Sequence, residues 1–331
     1  MQTVIICTHN PRPEYLRRAL DALKMQTLPS LEWELLLVDN ASQKKLSDLY
    51  DLSWHPNARH IREDELGLTP ARLRGITEAR GDLLVFIDDD NLLARDFLEQ
   101  VQATVARNPH LGVFGAGILE PEFEVLPARE LGPFLGLLAL RSVPSPLWSN
   151  NPADVALIPW GAGMSVTREV AVSFLILVQQ LKIKAMIGRR GQQLFCAEDD
   201  LFSWASVVTG KGFGLFPNLR VTHLISADRL NQRYFLRLIH GHQFSHEILK
   251  YLLTGVQSTN RQGSMKLLRN LRILLHGIKN GQFSMRCRWA GIRGRDHAAR
   301  FVSGNRLRPL ENYLPKTAVE NARMDLKPLP E

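Results

Sequence analysis

The chain has 331 residues, a formal net charge of +8, 45% hydrophobic and 22% charged residues, a globular composition at a length that predicts one large domain with an appendage, or two domains. No apolar run reaches the ~18 residues of a membrane span; the best, Val170 to Val178, is far shorter and breaks at Gln179. No basic leader precedes an apolar core, so folding is expected to start at the first residue, and Cys7, Cys196 and Cys287, odd in number and far apart, fit a reduced cytoplasmic chain without metal-ligand spacing.

Thr3 to Thr8 reads as a buried strand that stops at His9-Asn10-Pro11. A helix follows from about Pro13 through Met25, where Tyr15, Leu16, Ala19, Leu20 and Leu23 recur at helical spacing. Leu35 to Val38 is a second strand, and it ends on an acid, Asp39. After a short helix and the segment around His60 and Ile61, Gly67-Leu68-Thr69 opens a helix with Pro70 in its first turn, where proline is tolerated. That helix carries Arg72 and Gly75 and ends by Gly81. Five apolar residues, Leu83 to Ile87, then run straight into Asp88, Asp89, Asp90 and Asn91. The alternation predicts an α/β fold with a Rossmann-like, mainly parallel central sheet flanked by helices. Ligands of such sheets bind beyond the carboxyl ends of the strands, so Thr8, Asn10, Asp39 and Asp88 to Asp90 are expected to line one crevice.

Three adjacent carboxylates repel one another and call for a cation. Oxygen ligands of this hardness suit Mn²⁺ or Mg²⁺, bridged to substrate phosphates. The competing reading is a solvated strand-to-helix turn in which Asp90 or Asn91 caps a helix starting near Ala94. A crevice of this make-up suits a nucleoside diphosphate: Asp39 to accept from a base imide nitrogen, Arg72 to offer a cationic fork, and the metal to neutralise phosphate. No GxGxxG follows the first strand and no GxxxxGK[ST] occurs, which argues against a dinucleotide oxidoreductase and a P-loop enzyme.

Thr3 to Asn10 (TVIICTHN), Leu36 to Ser42 (LLVDNAS), Gly67 to Gly75 (GLTPARLRG) and Gly81 to Asn91 (GDLLVFIDDDN) resemble, in this order and spacing, the nucleotide-binding half of the family 2 inverting glycosyltransferases, which have the GT-A fold. The likeness runs from residue 3 to about residue 225. It implies a GT-A catalytic domain over 1–225, with a nucleotide-sugar half (1–118) and an acceptor and base half (119–225), and a basic, helical C-terminal region over 226–331. It further implies that Thr8 and Asp39 hold the base and ribose of the donor, that Asn10, Arg72 and Asp89 lie beside them, and that Asp88 and Asp90 are the DxD pair contacting ribose and metal. Where the family often has Asn after the arginine, this chain has Leu73.

Pro159 to Met164 resembles the family's loop beside the donor sugar, with Gly161 permitting close backbone approach; from its residues alone it is a β-turn after a strand. Cys196 to Phe202 (CAEDDLF) resembles the family's ED motif. That likeness makes Asp199 the catalytic base and Glu198 an acceptor-side or orienting partner, with Asp200 the alternative base. Inverting transfer is one in-line displacement, so one carboxylate must accept the acceptor hydroxyl's proton and no enzyme nucleophile is required. Without the family, these acids merely favour a helix N-terminus. His223, after a short strand ending near Pro217, matches a family His near diphosphate or metal and is taken as a third metal contact. Arg189-Arg190-Gly191 reads as a solvated turn that could approach phosphate.

Residues 226–331 carry 19 Lys/Arg against 7 Asp/Glu, which leaves 22 against 26 for residues 1–225, so the C-terminal third is basic and the rest mildly acidic. Asn231 to Leu253 is helical in pattern. Lys266 to Ile278 carries a stripe of Leu267, Leu271, Leu274 and Ile278 beside basic residues, and Arg286, Arg288, Arg293, Arg295 and Arg300 extend the charge. Such helices either lie peripherally on the anionic inner face of the cytoplasmic membrane or pack on the catalytic domain with the charges as their wet face. The expected activity is metal-dependent sugar transfer from a nucleoside-diphosphate-sugar donor, UDP-sugar favoured, to a saccharide or lipid-linked acceptor, with surface polysaccharide synthesis implied by the family. A nucleotidyltransferase would want a Gly-rich, lysine-bearing phosphate loop that His9-Asn10-Pro11 does not supply. A nucleic-acid-binding role lacks a binding motif and stacking aromatics and leaves both acid clusters unexplained, so no nucleic acid is expected.

Overall fold

The computed structural model describes residues 1–181, 196–256 and 281–304, together with 270, 272–275, 277 and 309. One sheet runs through it, made of β1 (Gln2–Thr8), β2 (Trp33–Asn40), β3 (Ala58–Glu63), β4 (Leu83–Ile87), β5 (Asn91–Leu93), β6 (Leu111–Phe123), β7 (Arg141–Ser142), β8 (Leu147–Ser149), β9 (Met164–Thr167) and β10 (Gly212–Ile225). The strand order is β3-β2-β1-β4-β9-β6-β10-β5, with β7 on β6 and β8 on β10. Neighbours among β1 to β4 are parallel; the unbroken apolar runs of β1, β2 and β4 are those of parallel strands covered on both faces, whereas β3 is the half-exposed edge. The second half is mixed: β9 runs antiparallel to β4 and β6, β10 parallel to β6 and antiparallel to β5.

Helices α1 (Pro13–Lys24), α2 (Leu68–Glu78), α3 (Phe97–Arg107), α4 (Arg168–Leu181), α5 (Glu198–Val208), α6 (Gln232–Thr254) and α7 (Gln282–Gly304) flank the sheet. The two-residue period of a strand sends alternate side chains to opposite layers. Val4 and Ile6 of β1 pack with Leu16, Leu20, Phe97 and Val101 of α1 and α3, while Ile5 packs with Ala71 and Ile76 of α2 and the aromatic core of α4 and α5. That second layer also takes in Phe244 and Ile248 of α6 and Ala298 and Val302 of α7. α7 packs on the rest of the chain by one face: Phe283, Cys287, Ala290, Ile292, Ala298 and Val302 are buried, and Arg286, Arg288, Arg293, Arg295 and Arg300 stand exposed. Most of the Lys266 to Ile278 stripe, and all of Arg189-Arg190-Gly191, lie outside the described residues. No helix among the described residues is long and apolar enough to cross a membrane.

Three local expectations are corrected. No helix starts near Ala94: after Asp90 the chain forms β5, and α3 begins only at Phe97, with Asp96 at its N-cap. Asn91 is instead consumed inside the acid turn, as described below. β10 does not stop near Pro217 but continues to Ile225; its register against β6 slips between Phe216 and Arg220, and a proline, lacking an N–H, is tolerated at such an irregularity. The Pro159 to Gly163 segment follows a short 3₁₀ turn, Val155–Leu157, and leads into β9, so no strand precedes it.

Candidate active site

The parallel register sets Thr8 opposite Asp39 at the carboxyl edge of β1 and β2, and the Thr8 hydroxyl donates to Asp89 at the end of β4. The acid turn is held from inside by Asn91, which is fully buried. Its Oδ1 accepts the Asp88 N–H at 2.9 Å and its Nδ2 donates to Asp90 Oδ1 at 3.1 Å. β5 then pairs with β10 through Asn91 and His223, which places His223 Nε2 3.4 Å from Asp90 Oδ2. Arg229, on the turn Ala227–Arg229 between β10 and α6, sets its Nη1 2.9 Å from the same oxygen.

Around the base end, Asp39 Oδ1 accepts the Ser42 N–H at 3.0 Å, and Oδ2 accepts the Leu46 N–H at 3.1 Å and Arg62 Nη1 at 2.7 Å. Burial pushes the Asp39 carboxyl up, but these donors more than offset it and leave it below its ordinary value. Asn10 sits in the left-handed region at φ 47°, with its N–H on Ser42 Oγ and its Oδ1 accepting the Gln43 N–H, both at 2.9 Å. It forms a lip over Asp39.

Burial, followed by the charges of Asp90 and Asp88, pushes Asp89 up to about 7 against the pull of Thr8 and Arg229. This cluster is short of positive charge. Among the described residues no three His, Cys, Asp or Glu side chains make a ready metal cage, but Mn²⁺ and Mg²⁺ ordinarily take one or two carboxylates and complete their shells with phosphate and water. Asp90 Oδ2 and His223 Nε2 face one another, and His223 Nδ1 is buried without a hydrogen-bond partner. The Asp90 carboxylate and the His223 imidazole are donors of a kind that such an ion accepts, and the Arg229 guanidinium lies against both, 2.9 Å from Asp90 Oδ2 and 3.2 Å from His223 Nε2.

The second acid pair comes from the first turn of α5. One turn further on, Phe202 stacks on Phe174 of α4 at 3.7 Å between centroids and packs on Phe86 of β4 at 5.4 Å. This seats the start of α5 over the end of β4. Arg72 of α2, buried above Phe86, reaches across with Nη1 3.2 Å from both Glu198 Oε2 and Asp199 Oδ1. The Gly161 N–H donates to Asp199 Oδ2 at 3.1 Å. A Cβ at residue 161 would lie 2.0 Å from Arg72 Nη2, so only glycine lets the loop close over the guanidinium. Burial raises both Glu198 and Asp199 above the ordinary carboxylate range, with Arg72 opposing. Burial also pushes the Cys7 thiol, beneath this cluster, well above its usual value.

Of the sequence-predicted site residues, the structure gathers Thr8, Asp88, Asp89, Asp90 and His223 into one cluster and Arg72, Gly161, Glu198 and Asp199 into another, with Asp39 and Asn10 at the rim. Arg72 is committed to the α5 acids. Sequence reading missed Asn91, Arg62, Arg229 and Arg141. Asn91 lay inside a quoted motif and offered a signal, whereas the arginines find their partners only through the fold. Arg141 of β7 lies flat on the Trp160 ring, 3.5 Å from its centroid, and donates from Nη1 to the Ile158 carbonyl at 2.9 Å.

A parallel half of four strands, β1 to β4, an antiparallel β9 between β4 and β6, and acids at the end of β4 and the start of α5 define a GT-A fold. Its overall shape is similar to that of the mannosyltransferase PcManGT from Pyrobaculum calidifontis in complex with GDP-Man and Mn²⁺, with a TM-score of 0.52 at 19% identity over 97% of this chain and 84% of that one. Residues 3–133 match the model of glycosyl transferase family 2. Curated relatives include glycosyltransferase AglE of Haloferax volcanii, 30% identical over 107 residues covering 31% of this chain and 35% of the relative. The putative glycosyltransferase EpsH of Bacillus subtilis is 28% identical over 104 residues, 31% of this chain and 29% of the relative. The chain thus spans about a third of the length of these relatives.

Proposed function

We propose that the protein is an inverting glycosyltransferase that moves a sugar from a nucleoside-diphosphate donor to a hydroxyl of a saccharide or lipid-linked acceptor. One observation carries this reading. A carboxyl pair, buried Glu198 and half-buried Asp199, is held by Arg72 and Gly161 beside the carboxyl end of the same strand that bears Asp88 to Asp90. Asp199 accepts the acceptor hydroxyl's proton as that oxygen attacks the anomeric carbon and the bond to the diphosphate breaks on the opposite face. Its raised pKa makes it a stronger proton acceptor than a solvated aspartate. Glu198 and Arg72 orient it, and the strongly raised pKa of Cys7 disfavours a thiolate nucleophile.

Thr8, Asn10, Asp39, Asp88 and Asp89 form the donor floor. Asp88, Asp90 and His223 would hold Mn²⁺ or Mg²⁺, which supplies Lewis-acid stabilisation of the leaving diphosphate; the mannosyltransferase of similar fold is in complex with Mn²⁺. Residues 1–225 serve as the catalytic unit, and the exposed arginines of α7 give the basic C-terminal region a contact for an anionic cytoplasmic membrane face. The test is calorimetric titration of UDP, GDP, CDP and dTDP, with and without Mn²⁺, on the native chain and on Asp90→Ala, with UDP the first to try. Metal-dependent binding of one diphosphate, lost in the variant, is the expected result. Absence of binding under every condition overturns the donor-site reading.

A further inference from the structure

The cations around the crevice are mostly neutralised in place. Arg62 is held by Asp39 and Asp64, Arg72 by Glu198 and Asp199, and Arg229 by Asp90. Arg141 is different. Among the described residues no carboxylate lies within ion-pair distance of it, and its one hydrogen bond runs from Nη1 to the Ile158 carbonyl. Its guanidinium carbon sits over the ring of half-buried Trp160, 3.5 Å from the centroid, which holds the group in place and leaves its other N–H donors without a protein acceptor among the described residues. Burial lowers its pKa to about 10, and the opposing pull comes from the charge of Asp199. A cation partly stripped of water and left without a counter-ion costs free energy that a bound anion would recover.

Its position says which ligand that anion belongs to. Trp160 is followed directly by Gly161, whose N–H holds Asp199. β7 pairs with β6 at Leu119, whereas Asp39, Thr8 and the β4 acids sit on the β1 to β4 half. Arg141 therefore stands on the side of Asp199 belonging to the second half of the sheet. We propose that Arg141, supported by Trp160, is an acceptor-binding residue that selects acceptors bearing an anionic group, a carboxylate or a phosphate, near the hydroxyl to be glycosylated. The inference rests on the reading of Asp199 as the proton acceptor. The anion docks in the guanidinium fork, and the neighbouring hydroxyl is thereby presented to Asp199.

The test uses three small probes of matched ring, followed by saturation-transfer NMR and calorimetry on the full chain: methyl glucoside (neutral), methyl glucuronide (carboxylate) and glucose 6-phosphate (phosphate). The native protein is expected to bind at least one anionic probe about ten- to a hundred-fold more tightly than the neutral one, the range of a charge-assisted bidentate contact. The anionic probe that wins identifies the source of the charge. Arg141→Gln should abolish the preference, Arg141→Lys should retain part of it, and both should bind the nucleoside diphosphate as the native chain does and give native circular dichroism. A native protein that binds neither anionic probe better than methyl glucoside overturns the proposal. So does an Arg141→Gln variant that keeps the preference, or one that loses diphosphate affinity instead, which would assign Arg141 to the donor. Because diphosphate binding is measured separately, failure of the donor site and failure of the acceptor subsite give different patterns.

Discussion

At residue scale, Asp199 is distinguished from the other acids by what surrounds it. It takes an N–H from Gly161 and a guanidinium from Arg72. Asp199→Asn keeps the shape and those neighbours but cannot accept the proton. We expect kcat to fall by roughly 10² to 10⁴, the usual worth of a positioned general base, while diphosphate affinity stays within about two-fold. A variant with full turnover would remove Asp199 from the chemistry. The same burial has a pH signature. Burial comes first, with the charges of Asp200 and Asp88 adding to it, and together they raise Asp199 although Arg72 and the Gly161 N–H pull it down. The base works only when deprotonated, so turnover is lost as pH falls through the raised value and is complete above it. The acid limb of a kcat profile should therefore lie above the ordinary aspartate value of about 3.9; a limb at or below that value would contradict a base with a raised pKa.

At the scale of elements, the site depends on a loop closing on a helix-borne arginine. Gly161 belongs to the segment entering β9, and Arg72 to α2, yet they approach so closely that a Cβ would meet Arg72 Nη2 at 2.0 Å. Gly161→Ala is expected to drive the guanidinium away from Glu198 and Asp199, at a cost of about 1–3 kcal/mol typical of overpacking. Both the thermal midpoint and kcat should drop, and unchanged values for both would show that the loop has room to shift. The β4 acid cluster has its own brace. Glu124 accepts from Arg12, from the Tyr15 hydroxyl and from the Ala227 N–H, and Arg12 also pairs with Asp228. The turn that carries Arg229 is thereby tied to α1, and Arg229 keeps its place on Asp90.

At the scale of the whole molecule, the C-terminal helices share the core of the catalytic layers. Phe244, Ile248, Ala298 and Val302 belong to one hydrophobic cluster with Phe174 and Phe202, the latter being the residue that seats α5. α6 and α7 come together at Gly294, where a Cβ would lie 2.5 Å from the His240 carbonyl oxygen. Gly294→Val is expected to separate the two helices and cost about 1–3 kcal/mol, read as a lower thermal midpoint in a single calorimetric transition. Two resolved transitions, with only the lower one moved, would show instead that the C-terminal helices unfold on their own.

The amino-acid order alone determined the parallel half of the fold and the identity of its acids. Apolar runs bounded by polar residues at Thr8, Asp39 and Asp88 give strands that deliver side chains to one edge, because the apolar middle of a buried parallel strand leaves carboxylates to its ends. α1 and α6 were legible for a related reason, since their apolar residues recur at the spacing of a helical face, and α2 was legible from Pro70 in its first turn. What the order could not supply were contacts fixed by the path of the chain between distant segments. The commitment of Arg72 to Glu198 and Asp199, the place of Arg229 on Asp90, the inward turn of Asn91 and the unneutralised Arg141 on Trp160 all depend on β9 inserting between β4 and β6 and on β5 folding back to β10. Local periodicity records which face of an element is apolar; it carries no information on which distant charge will meet it, and that is decided only when the sheet closes.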